Sequence, residues 1–512
     1  MAVVEPPARA EAAQDAAGGL HRRALGVPDL VFFIVAASAP LTAVAGGQAV
    51  TYLVTGNQGI PLLFIPLGIV LAIFAVGYAA MSRHVADAGA FYTYVVRGLG
   101  RIPGVGAAFV ALVSYNAMQL GIYGLFGVAM GAFAADKLGI TMDWYWWCLV
   151  AGGIIGILGV LRIDLNARVL AVLLILEVVV VAVFDFAILA DPGPQGLSGA
   201  GFDPGNATDS AVGAALVFGV ASFVGFESAA IYSEEVKDPK RTVARATFIA
   251  VGAVAVFYAL SSWLLANAVG PDTIVDPGAL VEAGFTTPDG AAPDPTTVLI
   301  GSGAERLGAF WGDSAALLFA TSLFAALLSF HNAVARYFFA LGREGVLPAA
   351  VARVNRAGAP AVASLVQSSV ALIVVGLFAV LDKDPVLTLF TWLTNLGALG
   401  VVLLMAITSF AVVAYFRDRP EAKDSPWSTA WAPIIAGFCL LLILVLGIAN
   451  FNVLITGATD APTDSVSIIL PIVLFGAGIV GLIVAAVMKS SAPERFARIG
   501  QRTAVERAEH IQ

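Results

Sequence analysis

The stretch VASFVGFESAAIYSEEVKDPKR, Val220 to Arg241, begins as apolar sequence suited to a lipid interior and ends as a charged loop. Glu227 follows Gly225 and Phe226 inside the apolar part. A carboxylate at the centre of a membrane helix costs about 2.5–3.5 kcal/mol on insertion scales, so it marks a functional position by default. The fold therefore turns on whether the surrounding chain spans a membrane and what else lies at that depth.

The surrounding chain is strongly apolar. Of its 512 residues 59% are hydrophobic and only 12% are charged, with a mean hydropathy of +0.90. Those values lie outside the soluble range and indicate a polytopic membrane protein. The 53 glycines suit close helix packing in lipid, where small residues let backbones approach. The net charge of −8 comes with no basic stripe, so nothing points to nucleic acid. Cys148 and Cys439 both lie in apolar runs, where a structural disulfide is not expected. Residues 1–25 are Ala-rich and polar, without the apolar core of a cleaved signal peptide. They are expected to form a disordered cytoplasmic tail, the first hydrophobic span serving as its own insertion signal.

Runs of about 18 or more apolar residues are candidates to cross a bilayer. Twelve occur, near 30–54, 59–81, 104–135, 145–161, 168–190, 210–232, 244–269, 314–341, 360–381, 386–416, 430–451 and 467–488. With the N-terminus inside, all but Lys137, Arg306 and Lys383 of the 27 Lys and Arg residues fall on the cytoplasmic side. That bias orients the chain, giving twelve spans with both termini inside. Residues 271–313 are expected outside as an irregular cap with short helices. Residues 82–103 are expected to form an amphipathic segment along the inner surface. The glycosylation motif at Asn206 falls outside.

Two spans carry signs of interruption. Span 1 reads AASAPLTAVAGG from Ala36 to Gly47, where Pro40 removes a backbone donor and Ser38 and Thr42 offer hydroxyls. Span 6 reads SFVGFES from Ser222, with Gly225 just before Glu227. A proline kink and a packing glycine would explain either one alone. Together, as the first spans of two five-span halves, they point to discontinuous helices around a solute site. Half-helix N-termini suit a carboxylate, and C-terminal carbonyls suit an ammonium.

Other polar residues sit at membrane depth. Glu177 of span 5 is in LLILEVVVVAV with no cation nearby in sequence; it is either a proton carrier or a neutral carboxyl bonded to a neighbouring helix. Asp185 lies nearer the outer surface. Tyr115, Gln119 and Tyr123 recur at intervals of four along span 3, so they share one face, which lines a cavity or forms a polar packing seam. His331, Asn332, Trp392 and Asn395 are further candidates for cavity groups. GAGIVG at 476–481 matches a dinucleotide-loop pattern but lies inside span 12, where helix packing explains it. Nucleotide-binding, zinc-protease and serine-hydrolase motifs are missing, and the four histidines form no metal cluster. No cofactor and no metal are expected.

The sequence SFVGFESAAIYSEEVKDPKRTVARA resembles the sixth-helix signature of the amino acid–polyamine–organocation transporter superfamily. ADAGAFYTYVVRGLG at 86–100 and ARYFFALGREGVLP at 335–348 are similar to that superfamily's motifs after helices 2 and 8. The resemblance implies an all-α protein with a five-plus-five inverted repeat of the leucine-transporter type, helices 1 and 6 being discontinuous, and two C-terminal helices. On this sequence the halves are 26–190 and 191–416, followed by 417–490 and a cytoplasmic tail 491–512. It also implies substrate contacts from Ser38, Ala39, Pro40, Leu41, Thr42 and Ala43, and from Ser222, Phe223, Val224, Gly225, Phe226 and Glu227. Many members have a glycine-rich break in helix 1, where this chain has Ser38-Ala39-Pro40-Leu41-Thr42. Many also have a lysine, linked to proton coupling, where this chain has Glu177.

The expected function is secondary active transport of amino acids across the plasma membrane by alternating access. Tyr115, Gln119 and Trp392 would complete the substrate site, and Phe223 or Phe226 would gate it. The coupling ion would be a proton, with Glu177 and Glu227 as the groups involved. Glu227 is expected to face a solvated cavity across from Pro40, and to touch substrate, carry a proton, or hold the break in shape. The alternatives are a polyamine or organic-amine importer or exchanger and, from another class, a nutrient receptor that moves nothing. The expected partners are the small molecule, the bilayer and the proton, with no nucleic acid.

Overall fold

The computed structural model describes residues 26–500 except 86–89, 162–166, 210, 228–238, 288–289, 291, 357 and 423. Residues 1–25, residues 501–512 of the expected tail 491–512, the acidic Glu234 and Glu235 of the loop after span 6, and the first residues of the motif at 86–100 lie outside the described residues. The described chain is helical, apart from one isolated two-residue bridge between Thr286 and Pro293.

The main helices, in chain order, are α1 (Val27–Ala37), α2 (Ala49–Thr55), α3 (Ile60–Ser82), α4 (Ala90–Leu99), α5 (Arg101–Leu138), α6 (Trp144–Leu161), α7 (Ala167–Ala190) and α8 (Val212–Ala221). They continue with α9 (Pro239–Val269), α10 (Thr297–Leu307), α11 (Ala309–Arg343), α12 (Ala361–Val380), α13 (Thr391–Arg417), α14 (Ala432–Ala449) and α15 (Ser465–Ser491). Among the described residues, ten helices are long and apolar enough to cross a membrane. They correspond to spans 2–5 and 7–12. Expected spans 1 and 6 are the two that run through shorter pieces. Span 1 contains α1, a wide-turn segment Thr42–Gln48 and α2, and span 6 contains α8 and a series of turns through Glu227.

The burial pattern is that of a protein in lipid. On α15, Ile468, Ile472, Ile479 and Ile483 are exposed while Leu474, Gly481 and Ala485 are buried. Lipid tails are as apolar as these side chains, so helix association relies on close packing of small residues. Gly478 and Gly481 meet Gly106 of α5 in this way, since a Cβ on Gly481 would lie 2.7 Å from the Val105 carbonyl oxygen. The GAGIVG run is therefore a helix-packing surface. α5 lies at the centre, against α11, α13 and α15.

Helices five spans apart pack on one another. α3 lies along α9, α5 along α11 and α6 along α12. One joint occurs twice in the chain. The short helix α4 ends at Leu99, Gly100 follows with φ 98° and ψ 174°, and α5 begins. The short helix α10 ends at Leu307, Gly308 follows with φ 88° and ψ 167°, and α11 begins. That backbone region is open essentially to glycine alone, so each joint uses glycine to swing from a short helix into a long one.

Within 271–313 the chain forms short helices Pro271–Ile274 and Pro277–Glu282 together with α10. Asn206 sits in the short helix Pro204–Ala207 and donates from Nδ2 to the Ala200 carbonyl at 3.0 Å. Residues 493–500 return from α15 as a strap across α4 and the start of α5. Arg101 donates to the carbonyls of Ile499 and Ala497, both at 3.2 Å, and its guanidinium lies over the Phe496 ring. The N–H of Gly500 donates to Glu344 Oε1 at 3.3 Å, and Tyr92 of α4 donates to the other oxygen of that carboxylate.

No atom lies within 4 Å of the position a Cβ would take on Gly100 or Gly308. Gly100→Ala and Gly308→Ala should therefore destabilise through the backbone alone, by about 1–3 kcal/mol each. Lowered melting temperatures of the detergent-purified variants, compared with Gly153→Ala in open space within α6, would show it; equal melting in all three would contradict it.

Candidate functional site

The interruption in span 1 begins where α1 stops. The hydroxyl of Ser38 donates back to the Val35 carbonyl at 2.8 Å, and Ala39 takes a φ of +44°. A non-glycine residue in that left-handed region is strained by about 1–3 kcal/mol. Pro40 then opens the next helical segment, a position where its missing N–H costs nothing. A helix start leaves its first N–H groups without intrahelical partners; here they belong to Leu41 and Thr42. The carbonyl of Ser38 accepts from the Tyr258 hydroxyl at 3.0 Å.

Beyond α8 the chain runs on in turns as far as Glu227. α8 stops at Ala221, and successive three-residue bonds carry the chain from Phe223 N–H to Val220, Val224 N–H to Ala221 and Phe226 N–H to Phe223. Gly225 has a φ of 114°. Its N–H donates to Glu227 Oε2 at 2.8 Å, so the carboxylate closes its own turn. Glu227 Oε1 accepts from the Tyr115 hydroxyl at 2.7 Å, and the Glu227 carbonyl accepts from the Tyr78 hydroxyl at 3.2 Å. The Tyr337 ring stacks on Tyr115 with centroids 5.7 Å apart.

The two interruptions adjoin. Ile34 and Ser38 of the first, and Phe223 and Phe226 of the second, line one narrow crevice with Ala250, Val251 and Val254 of α9, closed too tightly in this conformation to hold a water molecule. Tyr258 joins them as well, bonding Ser38 while its ring meets Phe223 at 6.1 Å in an edge-on contact. Val224 is buried beside them, and Ser222 Oγ lies near Gly47 of the wide-turn segment. Phe226 meets Phe74 of α3 edge-on at 5.9 Å.

Glu227 does not face a solvated cavity in this conformation. It is 3% exposed, because tyrosines from α3, α5 and α11 surround it and both its oxygens are engaged. A buried carboxylate held by a hydroxyl and a backbone N–H replaces the expected hydration with fixed donors.

A second polar cluster lies on the other side of the first interruption. Thr42 Oγ1 and Ser322 Oγ of α11 are 3.0 Å apart. The carboxyl of Glu177 is turned to the Ser322 hydroxyl and the Leu41 N–H, and its Oε2 is buried without a hydrogen-bond partner among the described residues. Leu41 and Ala43 are themselves buried.

The remaining candidates go elsewhere. Gln119 donates to the Leu327 carbonyl at 3.2 Å and accepts from Gln367 of α12, so it belongs to a polar seam between α5, α11 and α12. His331 Nε2 pairs with Ser364 Oγ at 2.8 Å in the same region. Trp392 packs edge-on against Phe378 of α12 with centroids 6.2 Å apart, and Asn395 bonds the Thr391 carbonyl. Tyr115 and Gln119 share a face of α5 yet serve different clusters.

Tyr78, Tyr258, Ser322 and Tyr337 were not singled out from the sequence. The available signal was a tyrosine within an apolar run, whose hydroxyl needs a partner when buried.

The comparisons with known proteins bear on this arrangement. The family model described as "Amino acid permease" matches residues 25–480. The chain belongs to the amino acid permease family. The permease is 23% identical over 414 residues to the branched-chain amino acid permease of Bacillus subtilis, covering 77% of this chain and 82% of that one. It is 28% identical over 246 residues to the chloroplastic cationic amino acid transporter 7 of Arabidopsis thaliana, covering 48% of this chain and 36% of that one. Among solved structures it is similar to a manganese transporter of Eremococcus coleocola, with a TM-score of 0.55 at 16% identity over 92% of this chain and 94% of that one. It is also similar to MhsT in complex with L-phenylalanine, with a TM-score of 0.51 at 18% identity over 84% of this chain and all of that one. These likenesses show the fold, the leucine-transporter arrangement. The permease is thus a multi-pass membrane transporter of the amino acid–polyamine–organocation superfamily.

Tyr115→Phe should strip a donor from a buried carboxylate oxygen and lower stability by about 1–3 kcal/mol. Tyr337→Phe removes a hydroxyl that has no partner among the described residues and should melt within about 0.5 kcal/mol of the parent. Equal melting of the two variants would argue against a bond between Tyr115 and Glu227.

Proposed function

We propose that the permease carries amino acids across the plasma membrane by alternating access, coupled to protons, with both termini in the cytoplasm. The observation that carries this reading is the adjacency of the two interrupted segments, Ser38–Ala43 and Ser222–Glu227, joined by Tyr258. We take them as breaks in spans 1 and 6 of a twelve-span chain. The first turn after Pro40 offers N–H groups to a carboxylate, and the end of α8 offers carbonyls to an ammonium.

Two features support the five-plus-five inverted repeat over 26–190 and 191–416, with 417–490 added. Helices five spans apart pack in three pairs, as a two-fold relation between halves would require. The glycine joints at Gly100 and Gly308 have matching backbone angles. Rocking of one group of helices against the other would then expose the breaks to either side in turn. Phe223 and Phe226, which line the crevice between the breaks, are the proposed gating rings.

Within amino acids, neutral apolar ones are favoured. The crevice is lined by aliphatic and aromatic side chains with Ser38 alone polar, and both Glu227 oxygens are already bonded, leaving no free anion beside it. The relative from Bacillus subtilis is named for branched-chain amino acids. A cationic substrate is the second reading, favoured by the Arabidopsis relatives named for cationic amino acids and by the carboxyl of Glu177 near the first break. Glu177 is the proposed coupling group, because it faces the N–H of Leu41 at the break itself. Glu227 holds the second break in shape.

A thermal-shift screen of purified permease should show stabilisation by branched-chain amino acids and not by lysine, arginine or putrescine. The reverse pattern would select the cationic reading. In proteoliposomes, an inward proton gradient should drive accumulation of the stabilising amino acid. Glu177→Gln should abolish that accumulation and spare exchange at equal pH. Binding without flux in any gradient would identify a receptor instead, and equal loss of both activities in Glu177→Gln would assign that residue to folding or binding.

A further inference from the structure

We propose that Asp185 is the outer proton-accepting group of a polar seam between α7 and α9 that leads to Glu177. The inference rests on the reading of Glu177 as the coupling group and adds the route by which a proton reaches it.

Asp185 and Glu177 are eight residues apart on α7, which places them just over two turns and about 12 Å apart along the axis. They are built alike. Each is set against a serine of a neighbouring helix: Ser261 Oγ of α9 donates to Asp185 Oδ2 at 2.7 Å, and Glu177 faces Ser322 of α11. Each has its second oxygen, Asp185 Oδ1 and Glu177 Oε2, closed off from solvent without a hydrogen-bond partner among the described residues. An acceptor left bare in the interior is costly and asks for an explanation. One exception can be accidental packing; two of the same form on one helix are a repeated device, and a carboxyl oxygen with no protein donor is free to receive a proton.

The ground between them is polar on the α9 side. Tyr258 and Ser261 stand three residues apart and so share a face of that helix. Tyr258 bonds Ser38 at the first break and lies within electrostatic range of Glu177. Hydroxyls can receive one proton while releasing another, and with bridging water they span distances that a single hydrogen bond cannot.

The other neighbours leave Asp185 without a counter-charge. Arg306 of α10 donates to the carbonyls of Asp191, Ser302 and Ala268, and its nearest carboxylates are those of Asp191 at 3.8 Å and Glu305 at 3.9 Å. From α11, Trp311 stacks on Phe184. No ion pair to Asp185 occurs among the described residues. Glu227, the acid that holds a break in shape, has a donor on each oxygen; Asp185 has one on Oδ2 only among the described residues.

The proton count closes over one cycle. A proton from the outer solution neutralises the Asp185 carboxylate at Oδ1. Its passage along the seam restores that carboxylate and neutralises Glu177 at Oε2. Release to the cytoplasm returns Glu177 to its starting charge.

The test uses full-length permease in proteoliposomes with wild type, Asp185→Asn, Asp185→Glu and Ser261→Ala. Wild type should accumulate substrate under an inward proton gradient. Asp185→Asn should lower the initial rate of that uptake about tenfold or more, a conservative loss for a removed proton-transfer group, with exchange at equal internal and external pH unchanged. Asp185→Glu should restore uptake, with its pH profile displaced. Ser261→Ala should slow proton-driven uptake alone, which keeps the test decisive if Asp185→Asn fails to fold. Wild-type uptake in Asp185→Asn would overturn the role of Asp185 while leaving Glu177 in place, as would equal loss of uptake and exchange in both Asp185→Asn and Ser261→Ala. Absence of gradient-driven accumulation in wild type would remove the coupling reading and this route together.

Discussion

A backbone group freed from a helix inside a bilayer has to find its partner within the protein, because the surrounding hydrocarbon offers none. Two stretches of this permease release such groups at adjoining positions, and much of the interior is arranged to receive them. The N–H of Gly225 goes to the Glu227 carboxylate, the Glu227 carbonyl to Tyr78, and the Ser38 carbonyl to Tyr258. The two tyrosines come from α3 and α9, which pack against each other. The carboxylate then needs a donor of its own, which α5 supplies through Tyr115. The cost of Glu227 in lipid is thus offset by a backbone group that would otherwise be bare.

The two acidic clusters differ in chemistry for a physical reason. Glu227 is saturated by donors on both oxygens and is fixed in place. Glu177 and Asp185 each keep one oxygen without a partner among the described residues, so their surroundings hold them less firmly in one state. Saturation suits a structural clasp, and an open acceptor suits a group that exchanges a proton with its environment. A single chain can hold both kinds of acid in one membrane because packing, not residue type, decides which is which.

Much of this architecture is legible in the order of residues. Ten long apolar helices lie where apolar runs occur, since length and hydropathy alone determine which segments can cross a bilayer. Pro40 and Gly225 signal interruption through backbone chemistry that neighbours do not alter. The placement of Gln119 and Trp392 was not legible in the same way. Both have the polarity or size of a site residue, but which helix they face depends on rotation of α5 and α13 against α12, which no local pattern encodes. Tyr258 and Ser322 escaped notice for a related reason. A hydroxyl in an apolar run is common, and its worth depends on the carbonyl or carboxyl that a distant part of the chain brings to it.

The strap at 493–500 has a consequence for how the molecule is made. Arg101 and Glu344 receive partners from residues that leave the ribosome after α15. The surface around α4 is therefore completed only after α15 has been made, when the strap arrives. A tag fused closely behind Gly500 would crowd that closing step more than one placed ahead of Val27 would crowd the start.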